Sequence, residues 1–192
     1  MFSYLAEHFD LPILDWIAEH LSCGFLDKVM PVITLLGDGG IFWIALAVVL
    51  LIFKKTRKAG LSMAAALLMG LVVCNLIMKP GFARIRPYDY QLAVFGREIP
   101  LLIEAQHDFS FPSGHTIATF EGATALFLFN KKMGIPALVL ACLIAFSRLY
   151  LYVHYPTDVL TSIILGVAFG ILGTLLVNKV WQLVENRKKK PQ

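Results

Sequence analysis

The chain has 192 residues, 58% of them hydrophobic and only 16% charged, with a mean hydropathy of +0.72. An ordinary soluble domain carries about 45–50% apolar and about 25% charged residues, which argues against a cytosolic enzyme, a disordered regulator or a coiled coil and for an integral membrane protein of one domain. The net charge of +4 would suit nucleic acid, but the basic residues are placed as membrane anchors, and no nucleic-acid partner is expected.

In chain order, residues 1–31 read as an N-terminal amphipathic interfacial segment. Leu14, Ile17, Leu21 and Phe25 recur at helical spacing between Asp15 and Glu19, which predicts a helix lying in the outer membrane interface. Glu7, Asp10, Asp15 and Glu19 interrupt the apolar stretch, so it does not read as a cleavable signal peptide. A sixth span there is possible, but it would have to bury those acids. Residues 32–183 read as a transmembrane domain of five helical spans. The first covers 39–53 and extends back past Asp38 toward Val32. The second and fifth, 59–78 and 159–178, are uncharged runs of about 30 Å as helix, the thickness of a bilayer core. The third, 113–130, contains Glu121, and the fourth, 133–152, contains Arg148. Continuous apolar runs without alternation predict an all-α bundle and not a barrel. Residues 184–192 read as a basic cytoplasmic tail.

The charges orient the bundle. Lys54, Lys55, Arg57 and Lys58, then Lys131 and Lys132, then Arg187, Lys188, Lys189 and Lys190 fall on one side of five alternating spans. The positive-inside rule makes that side the cytoplasm. The predicted location is the plasma membrane, multi-pass, with residues 80–112 and 153–158 on the extracytoplasmic side.

Three clusters of ionisable residues then converge on that outer face, where such residues mark function. The first is Lys79 with Arg86-Pro87. The second is Pro112-Ser113-Gly114-His115. The third is Ser147-Arg148, His154 and Asp158. Lys79 ends its span before Pro80, with Asn75 one turn earlier as a support. Arg86 and Arg148 offer planar forks for phosphate oxygens. Ser113 caps the start of a helix, Gly114 allows close backbone approach, and the free N–H groups there make an anion site. Three fixed cations and a helix terminus bind a phosphate without a metal or other cofactor. Asp158 is spaced to hold one nitrogen of His154 and leave the other free to attack phosphorus, while His115 protonates the leaving group.

Together these clusters resemble the type-2 phosphatidic acid phosphatase superfamily of membrane lipid phosphatases, whose signature is K-x6-R-P, P-S-G-H and S-R-x5-H-x3-D. Every signature position is filled: Lys79, Arg86, Pro87, Pro112, Ser113, Gly114, His115, Ser147, Arg148, His154 and Asp158. The resemblance implies a helical membrane core, a phosphohistidine intermediate formed without metal, and a site open to the outer leaflet. Its implied partners are the bilayer and a lipid phosphate or pyrophosphate. Undecaprenyl pyrophosphate is the preferred reading. Phosphatidylglycerophosphate and phosphatidic acid remain open, as does transfer to an alcohol in place of water. A small transporter would need charges at the midplane and broken helices, and a soluble haloperoxidase of the same superfamily would not carry five spans.

The remaining residues draw plainer expectations. Arg84 and Arg97 match no signature position and read as solvated or headgroup-facing. His8, His20 and His107 read as surface residues. Trp43, Tyr150, Tyr152, Tyr155 and Trp181 read as an aromatic belt. Cys23, Cys74 and Cys142 read as small buried hydrophobes without disulfides. Glu121 lies about 9 Å along the helix from His115, and its role stays open.

Overall fold

The computed structural model describes residues 2–188, so Lys189 and Lys190 of the basic tail lie outside the described residues. Every regular element among them is helical. Helix α1 spans 2–21 as three continuous pieces, Phe2–Leu5, a π-helical turn Ala6–Asp10, and Leu11–Leu21. It is followed by α2 (Gly24–Leu35) and α3 (Ile41–Ile52). Helix α4 spans 57–82, with Arg57–Gly70, a π-helical stretch Leu71–Met78 and a final turn Lys79–Phe82. Then come α5 (Pro87–Phe95), α6 (Gly114–Phe129), α7 (Lys131–Tyr150) and α8 (Pro156–Lys188).

Four stretches are long and apolar enough to cross a membrane: Gly24–Ile52, Arg57–Phe95, Lys131–Tyr150 and Pro156–Arg187. The third expected span, α6, is a fifth apolar segment. At 16 residues it reaches about 24 Å, and it lies at the centre, packed against α4, α7 and α8. The chain is an all-helical, multi-pass membrane protein.

The first expected span is not one helix. It breaks between α2 and α3, where Gly39 and Gly40 adopt φ of 56° and 66°, a left-handed conformation that side chains disfavour. The break sets Asp38 at the mouth of the bundle instead of inside a helix. The second span does not end at Lys79. Pro80 lies in the last turn of the helix, directly after the π-helical stretch, and the helix stops at Ala83 with φ 46°. The last helix continues to Lys188, so the segment expected as a tail from 184 begins helical.

Close packing rests on glycine. Gly166 lies against Phe120 and the Ile117 carbonyl, Gly170 against Thr124, and Gly173 against Ser62 and Ala66. This stripe lets α8 approach α6 and α4, in the way small residues permit helix contact in lipid. Trp43, expected in an aromatic belt, is fully buried on the space left by Gly122.

Helix α1 is amphipathic, but its stripe faces protein. Leu11, Leu14 and Ile17 are buried with Tyr88, Tyr90, Tyr150, Leu151, Tyr152, Val153 and Tyr155. Tyr150, Tyr152 and Tyr155 therefore form a core and not a belt, because the N-terminal helix covers them. The Tyr150 hydroxyl donates to Asp27 (2.6 Å) and the Tyr152 hydroxyl to Asp15 (2.8 Å). Trp181 does lie at the surface end of its helix, its Nε1–H donating to Glu185 (2.9 Å). Cys74 is buried, whereas Cys23, in the link between α1 and α2, and Cys142, on α7, are exposed; all three are free thiols.

A Cβ at Gly134 would overlap the Phe127 backbone across the α6–α7 turn. Gly134→Leu is expected to cost about 1–3 kcal/mol through overpacking, read as a lower melting temperature in detergent. An unchanged melting temperature would contradict this packing.

Candidate active site

The loops and helix ends at one end of the bundle carry the three clusters to one place. Lys79 comes from the end of α4, Arg86 from the N-cap of α5, His115 from the first turn of α6, Arg148 from the last turn of α7, His154 from the 151–155 loop, and Asp158 from the first turn of α8. Arg86, Arg148, His154 and Asp158 are all at most 2% exposed.

Arg86 is fully engaged. Its Nε donates to the Asp108 carbonyl (2.9 Å), one terminal nitrogen to the Val153 carbonyl (2.7 Å) and the other to the Asp108 carboxylate. The same carboxylate accepts from Lys79. Asp108 thus occupies with its own anion the space between two cations. Burial pushes the Asp108 carboxyl up, but the hydrogen bonds and charges of Lys79 and Arg86 outweigh it and hold it at about 2.

Arg148 is different. One terminal nitrogen donates to Thr34 Oγ1 (2.6 Å), while Nε and the other terminal nitrogen are buried without a partner among the described residues. A buried guanidinium with two open donors is costly to leave empty.

His154 turns Nε2 toward Arg86 (3.4 Å) and Nδ1 toward Asp158 and Ser110. The expected direct hydrogen bond to Asp158 is not made, for the separation is 3.6 Å. Asp158 Oδ2 instead accepts from Ser110 Oγ (2.5 Å) and from the Tyr155 N–H (3.1 Å). Ser110 stands between the two, 3.4 Å from His154 Nδ1.

Ser113 is not a side-chain cap of α6. Its N–H donates to Ser162 (2.8 Å) and its hydroxyl accepts from Thr116 (3.0 Å), so it ties α6 to α8. The first helical bond, Ile117 N–H to the Ser113 carbonyl (3.0 Å), leaves the earlier N–H groups at the helix start. Gly114 faces Asn75, whose Oδ1 would lie 3.3 Å from a Cβ there. Asn75 thus lies beside the α6 start and makes no hydrogen bond to Lys79 among the described residues. His115 Nε2 meets Asp38 Oδ1 at 2.5 Å.

Sequence reasoning missed Asp38, Asp108, Ser110 and the roles of Asp10 and Arg84. Asp38 was signalled by an acid beside an apolar run; Asp108 and Ser110 sit in a loop with no spacing to mark them. Arg84, expected to be solvated, is 4% exposed. It pairs with Asp158 (2.5 Å) and Asp10 (2.7 Å), because the helix that covers the loop brings a carboxylate with it. Arg97 is half exposed and pairs with Asp15 (3.0 Å). His8, His20 and His107 are exposed. A cavity of about 680 Å³ runs from Asp38, His115, Lys79 and Asp108 down between α3 and α4 to Leu51, Ala64 and Glu121. Glu121 is buried there, with Oε1 unpartnered among the described residues.

The profile of the PAP2 superfamily matches residues 59–182. The chain belongs to the PAP2 superfamily. It is 34% identical over 125 residues to an undecaprenyl-diphosphatase of Sulfolobus acidocaldarius, covering 65% of this chain and 58% of that protein. It is 32% identical over 147 residues to undecaprenyl-diphosphatase BcrC of Bacillus subtilis, covering 77% and 72%. The first of these matches thus spans less than two thirds of the relative's length. Among solved structures, Aquifex aeolicus LpxE aligns with a TM-score of 0.71 at 27% identity, covering 85% of this chain and 93% of that one. The Bacillus subtilis PAP2-type phosphatidylglycerolphosphate phosphatase aligns at 0.69 and 27%, covering 93% of both.

Burial pushes the His154 imidazole well below its ordinary range, and Arg86, Arg148 and Lys79 push it further, against Asp108. A lowered value keeps the ring neutral as pH falls through the ordinary range. The acid limb of kcat/KM, which reports the free enzyme, is therefore expected below about 6.5, the unperturbed imidazole value. A limb at 7 or above, measured on a substrate that does not itself titrate there, would contradict it.

Proposed function

We propose that the chain is a lipid phosphatase that releases phosphate from a lipid pyrophosphate at the outer leaflet of the plasma membrane, with undecaprenyl pyrophosphate as the preferred substrate. The observation that carries this reading is the pair of open donors on buried Arg148, beside two cations already bridged by a carboxylate. A phosphate group offers the negative charge and the paired oxygen acceptors that those two donors call for. The undecaprenyl-diphosphatases among the relatives support the choice of lipid. Phosphatidylglycerophosphate is the second reading, supported by the relative named phosphatidylglycerophosphatase B, 35% identical over 176 residues.

In the proposed mechanism, substrate phosphate displaces Asp108 from Lys79 and Arg86 and takes the open donors of Arg148. Gly114 and the α6 start add N–H groups. The Nε2 lone pair of His154 attacks phosphorus, and the bond to the leaving oxygen breaks as His115, held by Asp38, gives that oxygen a proton. The ring then carries phosphate on Nε2 and a proton on Nδ1, facing Asp158. Water, deprotonated by His115, attacks phosphorus, the N–P bond breaks, and its electrons return to Nε2. The three cations stabilise the equatorial oxygens in both steps. The cavity below receives the lipid chain.

Phosphate release by the purified protein from undecaprenyl pyrophosphate, phosphatidylglycerophosphate and phosphatidic acid tests this. Release is expected to be fastest from the first and absent for His154→Ala. No release from any of the three, or near-normal turnover by folded His154→Ala, would sink the reading.

Sidedness is tested separately. In a chain with Cys23, Cys74 and Cys142 replaced by serine, a cysteine at the exposed position Glu104 is expected to react with an impermeant reagent in intact cells, and one at Lys132 is not. The reverse pattern would put the site on the cytoplasmic side.

A further inference from the structure

The signature residues leave Arg84 and Asp10 without a task, yet the two lie in the most closely bonded group of the molecule. Arg84 NH1 donates to Asp158 Oδ1 (2.5 Å) and to Thr157 Oγ1 (2.8 Å), and NH2 donates to Asp10 Oδ2 (2.7 Å). Asp10 also accepts from the Thr157 N–H (2.9 Å) and hydroxyl (2.8 Å). The guanidinium lies 3.7 Å over the Tyr155 ring. The Arg84 carbonyl accepts from the Ser110 N–H (2.7 Å), which sets the serine between Asp158 and His154. Asp10 and Asp158 are fully buried and Arg84 nearly so. Asp10 lies outside the residues matched by the superfamily profile.

We propose that Arg84 and Asp10 are positioning residues that set the orientation and charge of Asp158 behind His154. The proposal rests on the reading of His154 as nucleophile. Arg84 alone would neutralise Asp158 and weaken its hold on the ring once the ring becomes a phosphorylated cation. Asp10 takes the second fork of the guanidinium, so the three charges Asp10, Arg84 and Asp158 sum to minus one. That residual charge faces the developing positive charge on the imidazole. Helix α1 is thereby a working part of the site, although its residues never meet the substrate.

The test uses the purified full chain with undecaprenyl pyrophosphate, and kcat normalised to folded protein. Asp10→Asn keeps the shape of the side chain and one oxygen to accept from the Thr157 N–H, while removing the charge and the carboxylate oxygen that accepts from Arg84. It is expected to lower kcat about tenfold with KM within about twofold, since removing the stabilising charge weakens the nucleophile in the chemical step and not substrate binding. The acid limb of kcat/KM should also move to lower pH. His154 faces Asp158, Arg86, Arg148, Lys79, Asp108 and His115, all unchanged in this variant. Arg84→Met should lose about a hundredfold in kcat, and Arg84→Lys should recover part of it, because an ammonium restores the charge between the two carboxylates. If the Arg84 variants fail to fold, Asp10→Asn decides. Folded Asp10→Asn with unchanged kcat and acid limb, or with a raised KM alone, would overturn the proposal. Absence of a phosphohistidine in the unmodified protein would instead remove the nucleophile reading on which it stands.

Discussion

Three guanidinium groups buried in one layer at the end of an apolar bundle are the constraint on which the rest of this structure depends. An unpaired buried charge costs several kcal/mol, and breaking one partner from a buried pair costs about 3–5 kcal/mol. Each arginine must therefore find anions or carbonyls, and the chain supplies them unequally. Arg84 has two carboxylates. Arg86 has a carboxylate and two carbonyls. Arg148 has one threonine hydroxyl and two open donors. The first arginine is clamped by carboxylates, the second by a carboxylate and carbonyls, and the third keeps donors without a partner among the described residues.

The backbone serves the same end. Helices crossing a membrane satisfy their own hydrogen bonds, so irregular backbone collects where it is covered by protein or lines a cavity. Here it collects at the site: the left-handed Gly39 and Gly40 beside Asp38, Ala83 before Arg84, and Tyr152 with φ 59° before His154. The N-terminal helix then closes over the 151–155 loop and excludes water from its buried histidine.

Two His–Asp pairs face the cation layer from opposite elements. His154 with Asp158 is enclosed, its carboxylate accepting from Arg84, Ser110 and the Tyr155 N–H. His115 with Asp38 is more open, and Asp38 is half exposed at the cavity mouth. The contrast suits the roles proposed for them, an enclosed nucleophile and a proton donor open to water.

The membrane class, the helical spans, the family and the signature residues that the fold gathers at one end of the bundle were legible in sequence. Hydropathy over about 20 residues is a local property, and a signature is a matter of spacing along the chain. What sequence could not reveal was who neutralises whom. Asp38, Asp108, Ser110 and Asp10 lie 77, 29, 48 and 74 positions from the partners they meet, and no periodicity links such pairs. Arg84 looked solvated because its two carboxylates come from α1 and α8, and the aromatics at span ends looked like a belt because the helix that buries them is remote in sequence. Local chemistry wrote the list of reactive groups; only the tertiary packing, of α1, α2 and the loop that carries Asp108 against the arginines, decided which charges pair with one another and which donors are left without a partner among the described residues.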